Sequence, residues 1–381
     1  MNIAEQDEQA YLANRDSSHQ DLLAYAAKQS GRSVFQIQRE FRQLAKSECQ
    51  INMVEYIRNG LYDLSRHTEA QRAEFISNDL HWDITHQCNN KGWSTTAEDK
   101  MLAATLLAAG GVPVPETVAV FDRSPRIYPG VRKVSTAKDL RALLTEADGK
   151  PLFCKVVDGM VSFGAFRIEG GDATHITCTG HAPMTHEAFL TDFVGENAYV
   201  VQKVLYNHSG FAGYASALCT VRMVNLVTDN GVTCPVAIIK MPQGENIADA
   251  FWRTGNLAAE VDVDTGCIKT VTRRGLETEF LEDHPNTPGL MGLQLPFWPE
   301  LREINARAAS IFAPIRYQST DIAITEDGPV IVELNYGGGF DLPQYASGRG
   351  MLTSEVRAFF EGCGYSFGAA KSGSFWGRRR A

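Results

Sequence analysis

The spacing of apolar residues changes once along the chain, near residue 95. Before that point apolar positions recur at helical intervals. In "SVFQIQREFRQLAKS" the residues Phe35, Ile37, Phe41 and Leu44 fall near one face, and in "NMVEYIRNGLYDLS" Val54, Ile57, Leu61 and Leu64 do the same. "TEAQRAEFISNDL" opens on Thr68, a capping residue followed by acidic positions. An Ala/Leu-rich helix in "STTAEDKMLAATLLAAGGVPVPET" is predicted to stop at Gly110 and Gly111. From there to about residue 272 the pattern is strand-like, as in "ETVAVF", "PLFCKVVD", "GAFRIEGG", "AYVVQKVL", "SALCTVRMVNLVTD", "VTCPVAIIKM" and "LAAEVDVDTGCIKTV", with Gly and Asn/Asp turns between. Two further helices, "PELREINARAASIF" and "LTSEVRAFFEGCG", flank a short hairpin. The pattern predicts an α+β protein: a helical region over 1–93, two lobes over 94–205 and 206–367, and a tail over 368–381 without fixed structure.

The hairpin "DIAITEDGPVIVELN" carries the densest chemistry. Both arms are β-type, and Glu326, Asp327 and Gly328 form a three-residue loop with Gly at the left-handed position. Pairing Thr325 with Pro329 sets Asp321 opposite Glu333, and Asn335 shares the Glu333 face. Two carboxylates and an amide oxygen on one face are hard ligands suited to Mg²⁺. The plainer reading is a hairpin with a wet outer face. Against it, like charges directly opposite destabilise a hairpin unless a cation sits between them. The apolar neighbours Ile322, Ile324, Ile331 and Leu334 also argue for burial.

A metal with so few protein ligands implies a polyphosphate partner. Lys155 interrupts the apolar run "PLFCKVVDGMVSFGAF", and the small-residue loop after it offers amides to phosphate. A lysine on the wet face of a strand explains it equally simply. Arg222 in "SALCTVRMVNLV" would suit a phosphoryl group through its fork of donors, or a salt bridge to a neighbouring strand. Lys240, ending "PVAIIKM", is a weaker candidate of the same kind. No Walker A or G-x-G-x-x-G fingerprint is present. His81 and His86 in "HWDITH" read as packed or surface histidines rather than metal ligands, since no further ligands cluster nearby.

Composition narrows the setting. A net charge of −9 disfavours binding to nucleic acid or an anionic membrane. No apolar run approaches the ~18 residues of a membrane span, and the polar start "MNIAEQDEQAYLANRD" has no secretory h-region. The eight cysteines form no C-x-x-C pair, which fits a reducing cytoplasm better than a disulfide framework. The basic cluster Arg378, Arg379 and Arg380 reads as part of the tail.

In this order the pieces resemble the ATP-grasp superfamily, and within it the sugar-transfer-associated, glutamate-ligase-related ATP-grasp proteins, from about Ser94 to Gln344. The resemblance implies ATP clamped between two α+β lobes with largely antiparallel sheets. It places Lys100 and Lys155 near the phosphates and makes residues 161–164, including Ser162, Phe163 and Gly164, a mobile glycine lid. Adenine would lie against the segment of Gln202, Lys203, Val204 and Leu205, with Lys240 also near the nucleotide. Asp321, Glu333 and Asn335 become the metal triad, and Arg222 and Lys155 the catalytic cations. The implied reaction is ligation: ATP phosphorylates a carboxylate and an amine attacks the acyl phosphate. A small-molecule kinase, a thiol acceptor and a vestigial binding module are the alternatives.

Three departures bear on substrate. Superfamily ligases often carry Arg two residues before the metal Asp, where this chain has Ser319; Arg222 or Arg316 is the expected substitute. No carboxylate for the ribose follows the linker, which leaves Asn207 or His208. The loop around Asp249 and Gly255 lacks the Asp-Asn and Gly-Gly pairs common in relatives. After the triad, Gly337, Gly338 and Gly339 permit close backbone approach, and Asp341 and Gln344 are candidates to orient a substrate amine or hydroxyl. The helical region is expected to pack on the core, with a substrate lobe or homodimer surface as alternatives.

Overall fold

The computed structural model describes residues 1–13 and 18–368; the expectation for the C-terminal tail falls, from residue 369 on, outside the described residues. Fourteen strands are numbered in chain order. The first seven are β1 (Thr117–Phe121), β2 (Lys133–Val134), β3 (Leu152–Val156), β4 (Phe166–Gly171), β5 (His175–Cys178), β6 (Met184–Thr185) and β7 (Tyr199–Lys203). The others are β8 (Thr220–Thr228), β9 (Gly231–Met241), β10 (Leu257–Val261), β11 (Val271–Arg273), β12 (Glu279–Leu281), β13 (Tyr317–Thr325) and β14 (Gly328–Asn335). They form two sheets, ordered β2-β1-β7-β3-β4-β5-β6 and β12-β11-β10-β9-β8-β13-β14. Only β1–β2 is parallel among the described pairings.

Strand alternation divides each sheet into a packed face and a working face. In β3, Leu152, Cys154 and Val156 join the first-lobe core with Leu140, Leu143 and Leu144 of the helix Ala137–Ala147. Phe153 and Lys155 point the other way. In the second sheet, Val221, Met223, Ile239, Ile322 and Ile324 pack beneath the helix Trp298–Ile311 and against Ala103 and Leu107 of the helix Lys100–Ala109. Arg222, Lys240, Asp321 and Glu333 belong to the opposite face. The helix Ala137–Ala147 interrupts a stretch whose pattern is strand-like overall, although Thr136 caps it and its leucines sit at helical spacing.

The helix predicted in "SVFQIQREFRQLAKS" runs over Val34–Lys46, but two others are shorter than the sequence pattern predicts, and "TEAQRAEFISNDL" is helical over Glu69–Arg72 before a short turn at Asn78–Leu80. "NMVEYIRNGLYDLS" is helical only over Met53–Arg58, because Gly60 takes a left-handed conformation (φ 64°) and ends the run. Ile37, Phe41, Tyr56, Phe75 and Ile84 share one core with Val224, Leu226 and Tyr317 of the second sheet and with Phe340 and Phe360. Val224 lies two residues beyond Arg222 on the same face. The helical region thus covers the working face next to the Asp321 cluster. None of the described helices is long and apolar enough to cross a membrane.

Candidate active site

The hairpin does set Asp321 opposite Glu333, by a different route from the one predicted. Thr325 pairs with Gly328, so the loop is the two-residue Glu326-Asp327 rather than three residues. A bulge then restores the register: Ile322 faces Ile331 and Asp321 faces Glu333, which leaves Val332 unpaired. The released Val332 carbonyl accepts a 2.8 Å hydrogen bond from Lys155 Nζ. One extra residue therefore ties the cation of the first sheet to the acidic strand of the second.

Around Asp321 the charges interlock. Arg222, directly across on β8, grips it through both ends of its fork, Nε to Oδ1 at 2.9 Å and a terminal nitrogen to Oδ2 at 2.7 Å. Lys240 Nζ lies 3.1 Å from Asp321 Oδ2 and 3.1 Å from Asp249 Oδ2. Thr220 donates to the same Asp249 carboxylate. Lys100 Nζ lies 3.2 Å from Glu333 Oε1 and donates to the Gly159 carbonyl. Burial alone would push the Asp321 carboxyl up, yet Arg222 and Lys240 outweigh it and hold the group well below the usual carboxylate range. For Glu333 burial again opposes ionisation, and Lys100 and Lys155 overcome it. The like-charge pair predicted to need a cation between has several nearby.

Four cations (Arg222, Lys240, Lys100, Lys155) meet three carboxylates (Asp321, Glu333, Asp249). The surplus appears at Lys155. Burial pulls its ammonium down to about 8; Glu333 opposes the shift and Lys100 adds to it. An arriving polyanion would favour the charged lysine. Affinity for ATP is therefore expected to be flat below about pH 8 and to weaken by up to tenfold per pH unit above it. Titration of ATP from pH 6.5 to 9.5 checks this, with Lys155→Arg expected to remove the dependence.

A cavity of about 320 Å³ opens between the sheets. It is lined by Lys100, Lys155, Ser162, Phe163, Asp321 and Glu333, and by Gln202, Lys203, Val204 and Leu205 where β7 leaves the first sheet. Arg222 and Lys240 act on it through Asp321. Asn335 lies beside the cluster, its amide nitrogen 3.4 Å from Asp321 Oδ2. Gly164 flanks the lid, and its amide donates to Asp7 Oδ2 at 2.9 Å. Asn207 lines the cavity but spends its side chain on the Ala217 carbonyl and the Cys219 amide, both at 2.8 Å. His208 is turned toward Glu326 and caps the short helix Ser209–Ala212.

All five substrate candidates, Arg316, Gly338, Gly339, Asp341 and Gln344, lie outside the lining of the cavity. Arg316 stacks over Phe359 at 5.5 Å and donates to the Val227 carbonyl, at the far end of β13. It is not positioned to replace the arginine missing at Ser319. Gln344 is 1 % exposed, and its amide is consumed by the backbone of Ile76 and Met351. That amide stitches the helix Asp341–Ser347 to the helical region. A Cβ at Gly338 would stand 2.8 Å from Ser319 Oγ and one at Gly339 2.9 Å from Asp341 Oδ1, so a larger residue would have to displace those side chains. Asp341 is half-buried and has no ion-pair partner among the described residues. His81 is buried against Phe340, and burial pulls it down to about 4, so it is neutral at pH 7.

The sequence reading marks Asp249 only as part of a loop bearing on substrate and misses that it completes the charge cluster through Lys240 and Thr220. It also missed Asp7, Tyr11, Trp252 and Arg253 around the lid, which distant segments bring together.

Two largely antiparallel sheets enclosing a cavity with a lysine from each side, a glycine loop and an acidic hairpin constitute the ATP-grasp fold. The family described as sugar-transfer associated ATP-grasp matches residues 80–358, and the chain belongs to it. No curated protein matches. Among solved structures, the VanG D-Ala:D-Ser ligase of Enterococcus faecalis is 12% identical, with 71% of this chain and 64% of that one covered and a TM-score of 0.39. The D-cycloserine synthetase DcsG is 16% identical over 71% and 69% of the two chains, TM-score 0.37. The carboxyaminoimidazole ribonucleotide synthase of Aspergillus clavatus, solved with ATP, is 16% identical over 64% and 45%, TM-score 0.36. The chain thus spans less than two thirds of the VanG ligase and under half of the synthase. Likenesses this distant carry no argument about what the chain does.

Proposed function

We propose that this protein is an ATP- and Mg²⁺-dependent ligase that joins a small carboxylic acid or peptide carboxylate to an amine through an acyl phosphate. The observation that carries the reading is the convergence of Lys100, Lys155, Asp321 and Glu333 on one cavity that ends at residues 202–205. Its volume is in the range of small-ligand pockets.

The donor set fits a magnesium ion that shares phosphate oxygens. Glu333 and Asp321 reach the cavity as hard carboxylates and Asn335 stands beside them. With so few protein ligands, phosphate oxygens and water would complete the shell of such an ion. Such an ion would neutralise charge on the transferring phosphoryl group.

In this reading Lys100 and Lys155 hold the phosphates. Arg222 is occupied at both ends by Asp321, so it orients that carboxylate rather than reaching the phosphoryl group. Ser162 and Phe163 cover the cavity and exclude water from the acyl phosphate. The test is nucleotide release across a panel of carboxylic acids with and without amines. ADP with a condensed product supports ligation; AMP contradicts it, and ADP with a stable phosphorylated acid indicates a kinase.

A further inference from the structure

The glycine loop between β3 and β4 is held from outside by a helix the family match does not include. Val161 and Ser162 both adopt left-handed backbone (φ 52° and 59°), a strained conformation for residues other than glycine. Such a loop keeps its shape only if its surroundings enforce it. From the second lobe, Trp252 Nε1 donates to the Val161 carbonyl at 3.0 Å, and Arg253 reaches the Ser162 carbonyl at 3.4 Å. From the helix Ile3–Ala13, Asp7 Oδ2 accepts the Gly164 amide at 2.9 Å and Arg253 at 3.0 Å. Tyr11, Phe163 and Trp252 form a closed aromatic triangle, with centroids 5.5, 5.4 and 5.6 Å apart.

These contacts differ from ordinary surface packing. The Asp7 and Arg253 side chains are 16% and 17% exposed, so their pair is shielded from solvent. Ile3 is buried in the first-lobe core, which anchors the helix there. A Cβ on Gly164 would stand 2.8 Å from Ala4 Cβ, so loop and helix meet with no room to spare. The helix is therefore fixed to one lobe, bonded to the loop, and bonded to the 252–253 segment of the other lobe. Phe163 and Ser162 line the cavity on the loop's inner side.

We propose that the helix Ile3–Ala13 is a latch, with Asp7 and Tyr11 as positioning residues that close the glycine loop against Trp252 and Arg253. The latch stands on these contacts alone. Its consequence, that opening the loop exposes the nucleotide and any acyl phosphate to water, rests on the ligase reading above.

The loop contains no Lys or Arg, but chymotrypsin can cut after Phe163. Cleavage there, read by the masses of the fragments, reports opening. The wild-type protein is expected to resist. Tyr11→Ala and Asp7→Ala are expected to be cut after Phe163 at least ~10-fold faster, from the loss of the aromatic contacts or of the buried pair. Trp252→Ala, made from the other lobe, should open the same bond, which guards against Tyr11→Ala simply unfolding. Wild-type cleavage rates in Tyr11→Ala, Asp7→Ala and Trp252→Ala would overturn the latch. Adding MgATP separates the two claims: protection of Phe163 in wild type but not in Tyr11→Ala supports both. Absence of any MgATP effect counts against the nucleotide reading, while the difference between wild type and variant still decides the latch.

Discussion

Glu333→Ala is expected to fold and to lose ATP turnover by roughly 10³-fold, the scale seen when one preorganised charge-stabilising group is removed from a reacting site. Its carboxylate lines the cavity and has a single protein cation, Lys100, in direct contact. Asp321 is saturated by Arg222 and Lys240. Glu333 therefore has the coordination capacity to spare for an ion between protein and phosphate. Removing it also leaves Lys100 and Lys155 facing each other without their shared counter-charge, which pulls the Lys155 ammonium further down. Loss of turnover should thus come with weaker ATP binding at pH 8 than at pH 7. Steady-state ADP release and ATP titration at both pH values check this.

The second large effect concerns stability. Arg222→Met removes one partner of a buried, bidentate pair and leaves Asp321 with Lys240, which Asp249 also claims. Breaking such a pair costs about 3–5 kcal/mol, and the remaining lysine places the expected loss near the lower end. The pH dependence has a definite sign. In the wild type Asp321 is held low, so its contribution is complete above its unfolded value near 4 and is lost as pH falls through the native value. Without Arg222 the native value rises. The gap between the two proteins should be widest near neutral pH and narrow toward acid, as urea unfolding at about pH 7 and about pH 3 would show. Pairing Arg222→Met with Asp321→Leu should recover part of the loss, because no uncompensated carboxylate then remains.

The parts legible in the sequence are those set by local periodicity. Lys155 breaks an alternating run, so its face follows from the strand itself. Asp321, Glu333 and Asn335 share a face for the same reason. The register of the hairpin was reached on a wrong loop length, because the bulge at Val332 answers to a tertiary demand, the carbonyl taken by Lys155. Arg222 was readable as a cation needing an anion, but its choice between phosphate and Asp321 depended on which strand lies next to β8. Asp341 and Gln344 look alike as polar residues after a glycine run. Only the packed helical region shows that Gln344 is spent on the backbone of Ile76, while Asp341 accepts the Leu342 amide at the start of its own helix. The lid contacts were out of reach, since Asp7, Phe163 and Trp252 are joined by folding alone.

The measurement that bears most directly on the central claim is a hydroxylamine trap, run with MgATP and a panel of carboxylic acids, in wild type and in Glu333→Ala. The account predicts ADP and a hydroxamate from one acid, in equal amounts, with both lost in the variant. ADP release with no hydroxamate from any acid, or AMP in place of ADP, would contradict an acyl phosphate held in this cavity.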